Sequence, residues 1–336
     1  MTKTRKIIYG ISLGLAAVLL VLGVFFDKSL SNAMYQPSNV FAKVMESGGI
    51  FPPFLFVAAM FTVLFYLVRE EDRFSSVKRI LTAAGVVLAY VFYGFMATER
   101  IFSSLLFRLL TGVGTAAVLS PLTFLVFRGK ARSTLKRLAI FLIFASMVSV
   151  ISALLVNVMK FFWGRPRFRE MMYEGDYDLL AFTPWYKING FSLHGHHSFP
   201  SGHTASAANL LALCALPEVF SEAEGHHKTV AFVVAIYIFA MAYSRIVLGA
   251  HFLSDVTGGF LIGFITYAIA RYLYFDKSRI VVDALIEVNR AEIESHASSE
   301  SESAVGASED AAERGESPVL SERVEVTLEE EDDKED

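Results

Sequence analysis

The chain has 336 residues, of which 54% are hydrophobic and 19% are charged. This composition excludes a soluble globular domain, because apolar stretches long enough to cross a bilayer recur along the chain. The net charge of −4 conceals two unlike parts: residues 276–336 hold 20 acidic and six basic side chains, and their net charge of −14 leaves residues 1–275 with +10. A basic membrane body suits anionic lipids and an anionic substrate, and we expect no nucleic-acid partner.

Eight apolar segments are predicted to cross the membrane as helices, because each has about 17–25 residues without a central charge. The predicted spans are 7–26, 50–68, 80–98, 109–127, 138–159, 203–220, 229–248 and 252–274. The first is longer than the apolar part of a signal peptide and is interpreted as a retained helix. For residues 101–110 the alternative is an amphipathic helix at the membrane interface. The predicted fold class is therefore an all-α transmembrane helical bundle.

Lysine and arginine residues fall on alternate loops, which predicts the orientation in the membrane. With a cytoplasmic N-terminus, the basic loops 69–79 and 128–137 also lie inside, as the positive-inside rule requires. Counting onward along the spans places Lys160, residues 161–200 and His251 together on the outer face. The aromatic residues of 161–200 are predicted to serve as interfacial anchors, as a lid that grips acyl or prenyl chains, or as both.

Three regions are predicted from these patterns: N-terminal transmembrane helices over 1–137, a catalytic membrane core over 138–275, and an acidic tail over 276–336. The tail is rich in Ser and Glu, so it cannot bury enough apolar surface to fold and is expected to be a disordered cytoplasmic segment. Nothing in it identifies a partner. Cys214 is the only cysteine, which rules out an intrachain disulfide.

The first chemical motif is Pro200-Ser201-Gly202-His203, which directly precedes an apolar run. Ser is a favoured helix cap, and Gly allows a ligand to approach the backbone closely. The free N–H groups at such a helix start form an anion site, so we expect Ser201 and Gly202 to bind phosphate. The alternative is a capped helix with a histidine nearby.

The second motif is Ser244-Arg245-x5-His251-x3-Asp255. His251 and Asp255 are four residues apart, so on one helix they share a face. A carboxylate there can accept a proton from one imidazole nitrogen and leave the other free as a nucleophile. Alternatively, Asp255 pairs with Arg245 at a helix boundary.

Lys160 and Arg167 form a third pair of candidate residues. A lysine supplies a point charge and an arginine a planar fork that matches two phosphate oxygens. Lys160 has the alternative of ending a membrane helix by extending to the interface. Arg165 competes with Arg167 as the phosphate-binding guanidinium, because the sequence reads Gly164-Arg165-Pro166-Arg167-Phe168.

Order and spacing of these motifs resemble the type 2 phosphatidic acid phosphatase (PAP2) superfamily, which includes vanadium haloperoxidases. Its pattern is Lys-x6-Arg-Pro, Pro-Ser-Gly-His and Ser-Arg-x5-His-x3-Asp, and the resemblance spans about residues 138–274. One departure is Phe168, which stands where the family usually has proline. The resemblance implies that His251 attacks phosphorus, that Asp255 orients it, and that His203 acts as general acid and base. It implies phosphate binding by the set Lys160, Arg167, Ser201, Gly202 and Arg245.

No metal or cofactor is expected, because a phosphohistidine mechanism needs none. His194, His196 and His197 raise the possibility of a zinc site, but their spacing matches no known ligand template.

The predicted function is that of a metal-independent membrane phosphatase acting on a lipid phosphomonoester or diphosphate, such as phosphatidate, phosphatidylglycerol phosphate, a prenyl diphosphate or lipid A. Its location is predicted to be a bacterial inner membrane, with the active site on the outer face and the C-terminus in the cytoplasm. One alternative is a phosphatase of a soluble ester such as a sugar phosphate. A transporter is the alternative from another class, although the predicted spans lack the central charges typical of transport proteins.

Overall fold

The computed structural model describes residues 3–99, 101–173, 182–191, 195–291 and 293–294. Met1–Val288 form one compact unit. Of the second unit, Asn289–Asp336, only 289–291 and 293–294 are described, and these are helical. The predicted all-α helical bundle is confirmed for the described chain. The tail prediction falls mostly outside the described residues.

Ten α-helices are described in the first unit, together with short 3-10 and π segments. The α-helices are α1 (Lys3–Met34), α2 (Val40–Gly48), α3 (Phe51–Leu67), α4 (Ser75–Ala97), α5 (Leu105–Phe127), α6 (Arg132–Trp163), α7 (Phe168–Tyr173), α8 (Gly202–Ala208), α9 (His227–Val247) and α10 (Leu253–Arg271). Two 3-10 segments (Asn209–Glu218 and Ser221–His226) follow α8, and a π-helical turn (Tyr272–Lys277) follows α10. Residues 279–288 are helical as well.

Seven segments of the described chain are long and apolar enough to cross a membrane. They are Lys3–Met34, Val40–Leu67, Ser75–Ala97, Leu105–Phe127, Arg132–Met172, Ser221–Val247 and Leu253–Lys277. Seven of the predicted spans coincide with these segments, and the span 109–127 begins earlier than predicted, at Leu105. The eighth predicted span, 203–220, is also helical, but it divides at Asn209 into α8 and a 3-10 segment that contains Pro217.

The main hydrophobic core lies where α3, α6, α10 and the first 3-10 segment meet. Phe144 and Val148 of α6 are fully buried there, beside Ala212 and Ala215 of the 3-10 segment. The ring of Phe144 packs edge-on against Tyr267 of α10, with 6.3 Å between the ring centroids. Small residues opposite large rings allow these helices to pack closely, which makes the core a rigid support for the helix ends above it.

Two glycines of α10 bring α8 against it. A Cβ atom on Gly259 would lie 2.2 Å from the Ser201 carbonyl oxygen, and one on Gly263 would lie 2.6 Å from Cβ of Ala208. Any larger residue would force the two helices apart. The close approach allows the Ser201 N–H to donate to the Asp255 carbonyl at 2.9 Å, so the starts of α8 and α10 are fixed side by side.

Candidate active site

The predicted site residues are delivered by the ends of four helices. Lys160 lies in the last turn of α6, and its Nζ atom is 3.3 Å from where a Cβ on Gly202 would stand. Ser201 caps α8, and its hydroxyl accepts from the Thr204 N–H at 3.3 Å. Gly202 and His203 begin that helix. The structure therefore brings the Lys160 pair and the Pro200-Ser201-Gly202-His203 motif into direct contact, and a Cβ at position 202 would crowd the lysine.

His251 lies in the short connection between α9 and α10 and is buried. Its Nδ1 atom is 2.6 Å from the carbonyl oxygen of Ser198. Because a carbonyl can only accept, Nδ1 carries the proton and Nε2 is left with a lone pair. Burial and the positive charges of Arg167 and Lys160 hold the pKa of His251 well below its usual range. The lowered pKa favours the neutral imidazole, which is the form that a nucleophile needs.

Asp255 reaches His251 less directly than the sequence predicted. The shortest distance from its carboxylate to Nδ1 is 3.9 Å, and the hydrogen bond expected there goes instead to the Ser198 carbonyl. The Asp255 carboxylate accepts from the Ser198 hydroxyl, from the Phe252 N–H at 2.8 Å, and from Arg165. Ser198 thus contacts both residues, through its hydroxyl and its carbonyl. The orienting role of Asp255 remains a prediction, and any effect of Asp255 on His251 would be transmitted by Ser198.

Arg165 and Arg167 occupy different environments. Arg165 is fully buried, and each of its nitrogens has an acceptor within the protein: Thr183 carbonyl, Ser254 hydroxyl, and the carboxylates of Asp255 and Asp27. Four of its five N–H donors are therefore used within the protein. The side chain of Arg167 is 17% exposed and lies 3.8 Å from the Glu170 carboxylate. Of the two arginines, Arg167 is the one placed to reach a substrate.

Asp27 of α1 is a site-supporting residue that the sequence analysis missed. It is 1% exposed, and its carboxylate lies 2.8 Å from Nη2 of Arg165. It also accepts from the N–H of Ser254 at 2.9 Å and from the hydroxyl of the same residue. A buried arginine between two carboxylates satisfies the requirement that buried charges be paired. Asp27 therefore joins α1 to the start of α10, next to the candidate catalytic residue Asp255.

Glu46 of α2 is the second residue that was missed, and it lies at the front of the site. Its backbone carbonyl accepts from Nε2 of His203 at 3.0 Å. Its carboxylate lies 3.3 Å from Nη2 of Arg245 and 3.1 Å from Nη1 of Arg169. No sequence pattern marks Glu46, because α2 lies between two predicted spans and no motif covers it.

The candidate metal residues are spread apart. His194 lies outside the described residues. His196 has Nδ1 at 3.5 Å from the Glu170 carboxylate, and the ring of His197 packs edge-on against Phe161. Among the residues that the structure describes, no three His, Cys, Asp or Glu side chains are grouped to hold a metal ion. Absence of a metal remains a prediction.

Aromatic residues before α8 divide into two groups. Trp163, Trp185 and Phe199 pack together, with 4.8 Å between the rings of Trp163 and Phe199. The aromatic residues Tyr186 and Phe191 are exposed, as is the aliphatic Ile188 between them. The first group supports the loop, and the second is available to an apolar partner. Tyr177, which the sequence analysis also included, lies outside the described residues.

Comparisons with known proteins agree with the motifs. Residues 138–279 match the family model of the PAP2 superfamily. The chain is also 34% identical, over 168 residues, to a lipid A 1-phosphatase of Rhizobium etli; the alignment covers 46% of this chain and 65% of the relative, which is less than two thirds of its length. None of the solved structures matches the chain significantly. The predicted resemblance to the PAP2 superfamily is therefore confirmed.

Proposed function

We propose that this chain, whose residues 138–279 form a PAP2 superfamily domain, is a membrane phosphatase that hydrolyses a lipid phosphomonoester or diphosphate through a phosphohistidine. The observation that carries the proposal is the setting of His251. Its Nδ1 donates to a backbone carbonyl, and the positive charges of Arg167, Lys160 and Arg245 act on the ring. This arrangement leaves Nε2 as a nucleophile beside a place for an anion.

In the first step, Nε2 of His251 attacks phosphorus in line with the ester oxygen. The N–P bond forms as the P–O bond to the lipid breaks, and the departing oxygen takes a proton from His203. Lys160, Arg167, Arg245 and the N–H groups at the start of α8 hold the remaining phosphate oxygens. Phosphoryl transfer depends chiefly on such positioning and charge stabilisation.

In the second step, His203 removes a proton from water, which attacks phosphorus. The N–P bond breaks, orthophosphate leaves, and His251 returns to its starting form. One imidazole in a fixed position can act first as acid and then as base in this way. The Ser198 carbonyl holds the Nδ1 proton throughout, so the attacking nitrogen is always the same atom.

A lipid substrate is favoured by the surroundings of the site. The loop between α7 and α8 exposes large side chains with apolar surface, namely Tyr186, Ile188 and Phe191. The relative from Rhizobium etli is named for action on lipid A, a phosphorylated glycolipid. The positive-inside count favours a site on the outer face of a bacterial inner membrane.

The test is phosphate release by the purified protein in detergent micelles. The panel contains phosphatidate, phosphatidylglycerol phosphate, undecaprenyl diphosphate, lipid A and glucose 6-phosphate. We expect phosphate release from at least one lipid. This release should persist in EDTA and should disappear in the His251→Ala variant. Rapid quenching with a ³²P-labelled substrate should trap label on the protein in an acid-labile, base-stable form.

Two controls make the test decisive. The His196→Ala variant removes a histidine next to the site and should retain turnover. Release from glucose 6-phosphate alone would overturn the lipid assignment, and full turnover by His251→Ala would overturn the mechanism.

A further inference from the structure

Helix α2 brings two groups of one residue into the candidate active site. The Glu46 carbonyl accepts from Nε2 of His203 at 3.0 Å, and the Glu46 carboxylate lies 3.3 Å from Nη2 of Arg245. Both partners are residues that the phosphatase mechanism needs. His203 must give its proton to the leaving oxygen, and Arg245 must bind phosphate oxygens. In the structure both are engaged by a residue from outside the PAP2 domain.

A second arginine converges on the same carboxylate oxygen. Oε1 of Glu46 lies 3.1 Å from Nη1 of Arg169 and 3.3 Å from Nη2 of Arg245. One oxygen between two guanidinium groups is the arrangement by which proteins bind phosphate. The position of Oε1 therefore marks an anion subsite, and Arg169 is one of its two walls.

The backbone holds Arg169 close to the nucleophile. Its N–H donates to the carbonyl of Gly249 at 2.8 Å, two residues before His251. Gly249 has a φ of +59°, and a Cβ there would lie 2.8 Å from the Tyr35 ring and 3.2 Å from the Arg169 nitrogen. Glycine is required at this position by both the conformation and the space. The start of α7 is thus fixed to the connection that carries His251.

We propose that Arg169 is a further phosphate-binding residue, and that Glu46 occupies the position of a phosphate oxygen until the substrate displaces it. The inference rests on the proposed phosphatase function. Arg245 and Arg169 would then hold the phosphate together. Because the carbonyl and the carboxylate belong to one residue, a displacement of this turn of α2 would end its contacts with His203, Arg169 and Arg245 together.

An internal competitor lowers the affinity for every ligand of its subsite. The apparent dissociation constant is the intrinsic one divided by the fraction of molecules whose subsite is open. Removing the negative charge of Glu46 should therefore tighten phosphate binding, whereas a supporting role for Glu46 would make its loss weaken binding. The sign of the change separates the two roles.

The experiment measures orthophosphate binding by the full-length protein in detergent, from the rise in unfolding temperature with phosphate concentration. This readout does not need turnover. The variants are Glu46→Gln, Arg169→Gln and the double variant. Lys43→Gln is the matched control, because it removes an exposed charge from the same helix. Unfolding temperatures without phosphate show whether each variant is folded.

We expect the Kd for orthophosphate to fall by about tenfold in Glu46→Gln, because one charged competitor is lost. It should rise by about tenfold in Arg169→Gln, because one charged hydrogen-bond donor is lost. The gain from Glu46→Gln should shrink in the Arg169→Gln background, because the carboxylate has lost one of its two partners there. Lys43→Gln should bind phosphate as the unchanged protein does.

An unchanged or higher Kd in a folded Glu46→Gln variant would overturn this inference and leave the proposed function standing. An unchanged Kd in Arg169→Gln would remove Arg169 from the subsite and overturn it as well. Failure of every variant and of the unchanged protein to bind orthophosphate would overturn the proposed function together with the inference.

Discussion

Replacing Asp27 by asparagine tests whether the first helix supports the active site. The carboxylate of Asp27 lies 2.8 Å from Nη2 of Arg165, and both side chains are completely buried. At an effective dielectric constant near 20, the attraction at this distance is about 6 kcal/mol, and the desolvation of both groups offsets part of it. Removal of one partner from such a pair typically costs about 3–5 kcal/mol, because the other charge is left buried.

The loss of stability in the Asp27→Asn variant should lie near the lower end of that range. Its amide oxygen can still accept from the Ser254 N–H, but its amide nitrogen cannot accept from Arg165. We expect the free energy of unfolding to fall by about 3 kcal/mol. Turnover should fall at least about tenfold, because Arg165 also binds Asp255. Denaturant titration in mixed micelles measures the first quantity, and initial rates of phosphate release measure the second.

Ser31→Ala is the matched control for Asp27→Asn. Ser31 lies one turn further along α1 and is equally buried, and its hydroxyl makes no hydrogen bond to any described residue. We expect this variant to unfold within about 0.5 kcal/mol of the unchanged protein. If Asp27→Asn were as stable and as active as Ser31→Ala, the buried network would not couple α1 to the site, and the reasoning would be refuted.

Three further predictions concern the chemistry. The acidic limb of the pH profile of kcat/KM should lie below pH 6.5, because the pKa of His251 is lowered and its neutral ring persists to lower pH. The profile is first corrected for the ionisation of the substrate, which ³¹P NMR measures. A limb above pH 7 would contradict this prediction. Ser198→Ala should lower kcat by about tenfold while leaving KM nearly unchanged, because Asp255 loses a hydroxyl donor; steady-state kinetics would reveal the opposite pattern if Ser198 bound substrate. Prolonged dialysis against EDTA should leave initial rates unchanged, and a loss that Zn²⁺ restores would show a metal requirement.

Much of the candidate site was predictable because its residues follow fixed spacings at helix ends. The cap formed by Ser201 is a local feature that sequence alone constrains. The spacing of His251 and Asp255 also marked them as neighbours, although His251 lies before α10 and not on it. Ser198 was not predictable. It contributes a backbone carbonyl, which every residue has, so nothing in the side chain marks its contact with His251.

Asp27 was missed for a different reason. The predicted first span ended at residue 26, because a charge usually interrupts a membrane helix. The helix continues to Met34, since Arg165 neutralises that charge from a position 138 residues later. A charged residue at the end of an apolar run is a functional candidate, and this signal was present in the sequence. The sequence did not identify Arg165 as its partner, because long-range pairing leaves no local pattern.

The connection between the first and last spanning helices also has a consequence for biosynthesis. Asp27 hydrogen-bonds to Ser254, which is 227 residues further along the chain. At a synthesis rate of about 5–20 residues per second, roughly 10–45 s separate their appearance from the ribosome. During that interval α1 carries a carboxylate whose partner Ser254 does not yet exist, and its other partner, Arg165, is made only 138 residues after it. The newly made chain therefore completes the support of its candidate active site only when the last of the described apolar helices joins the first.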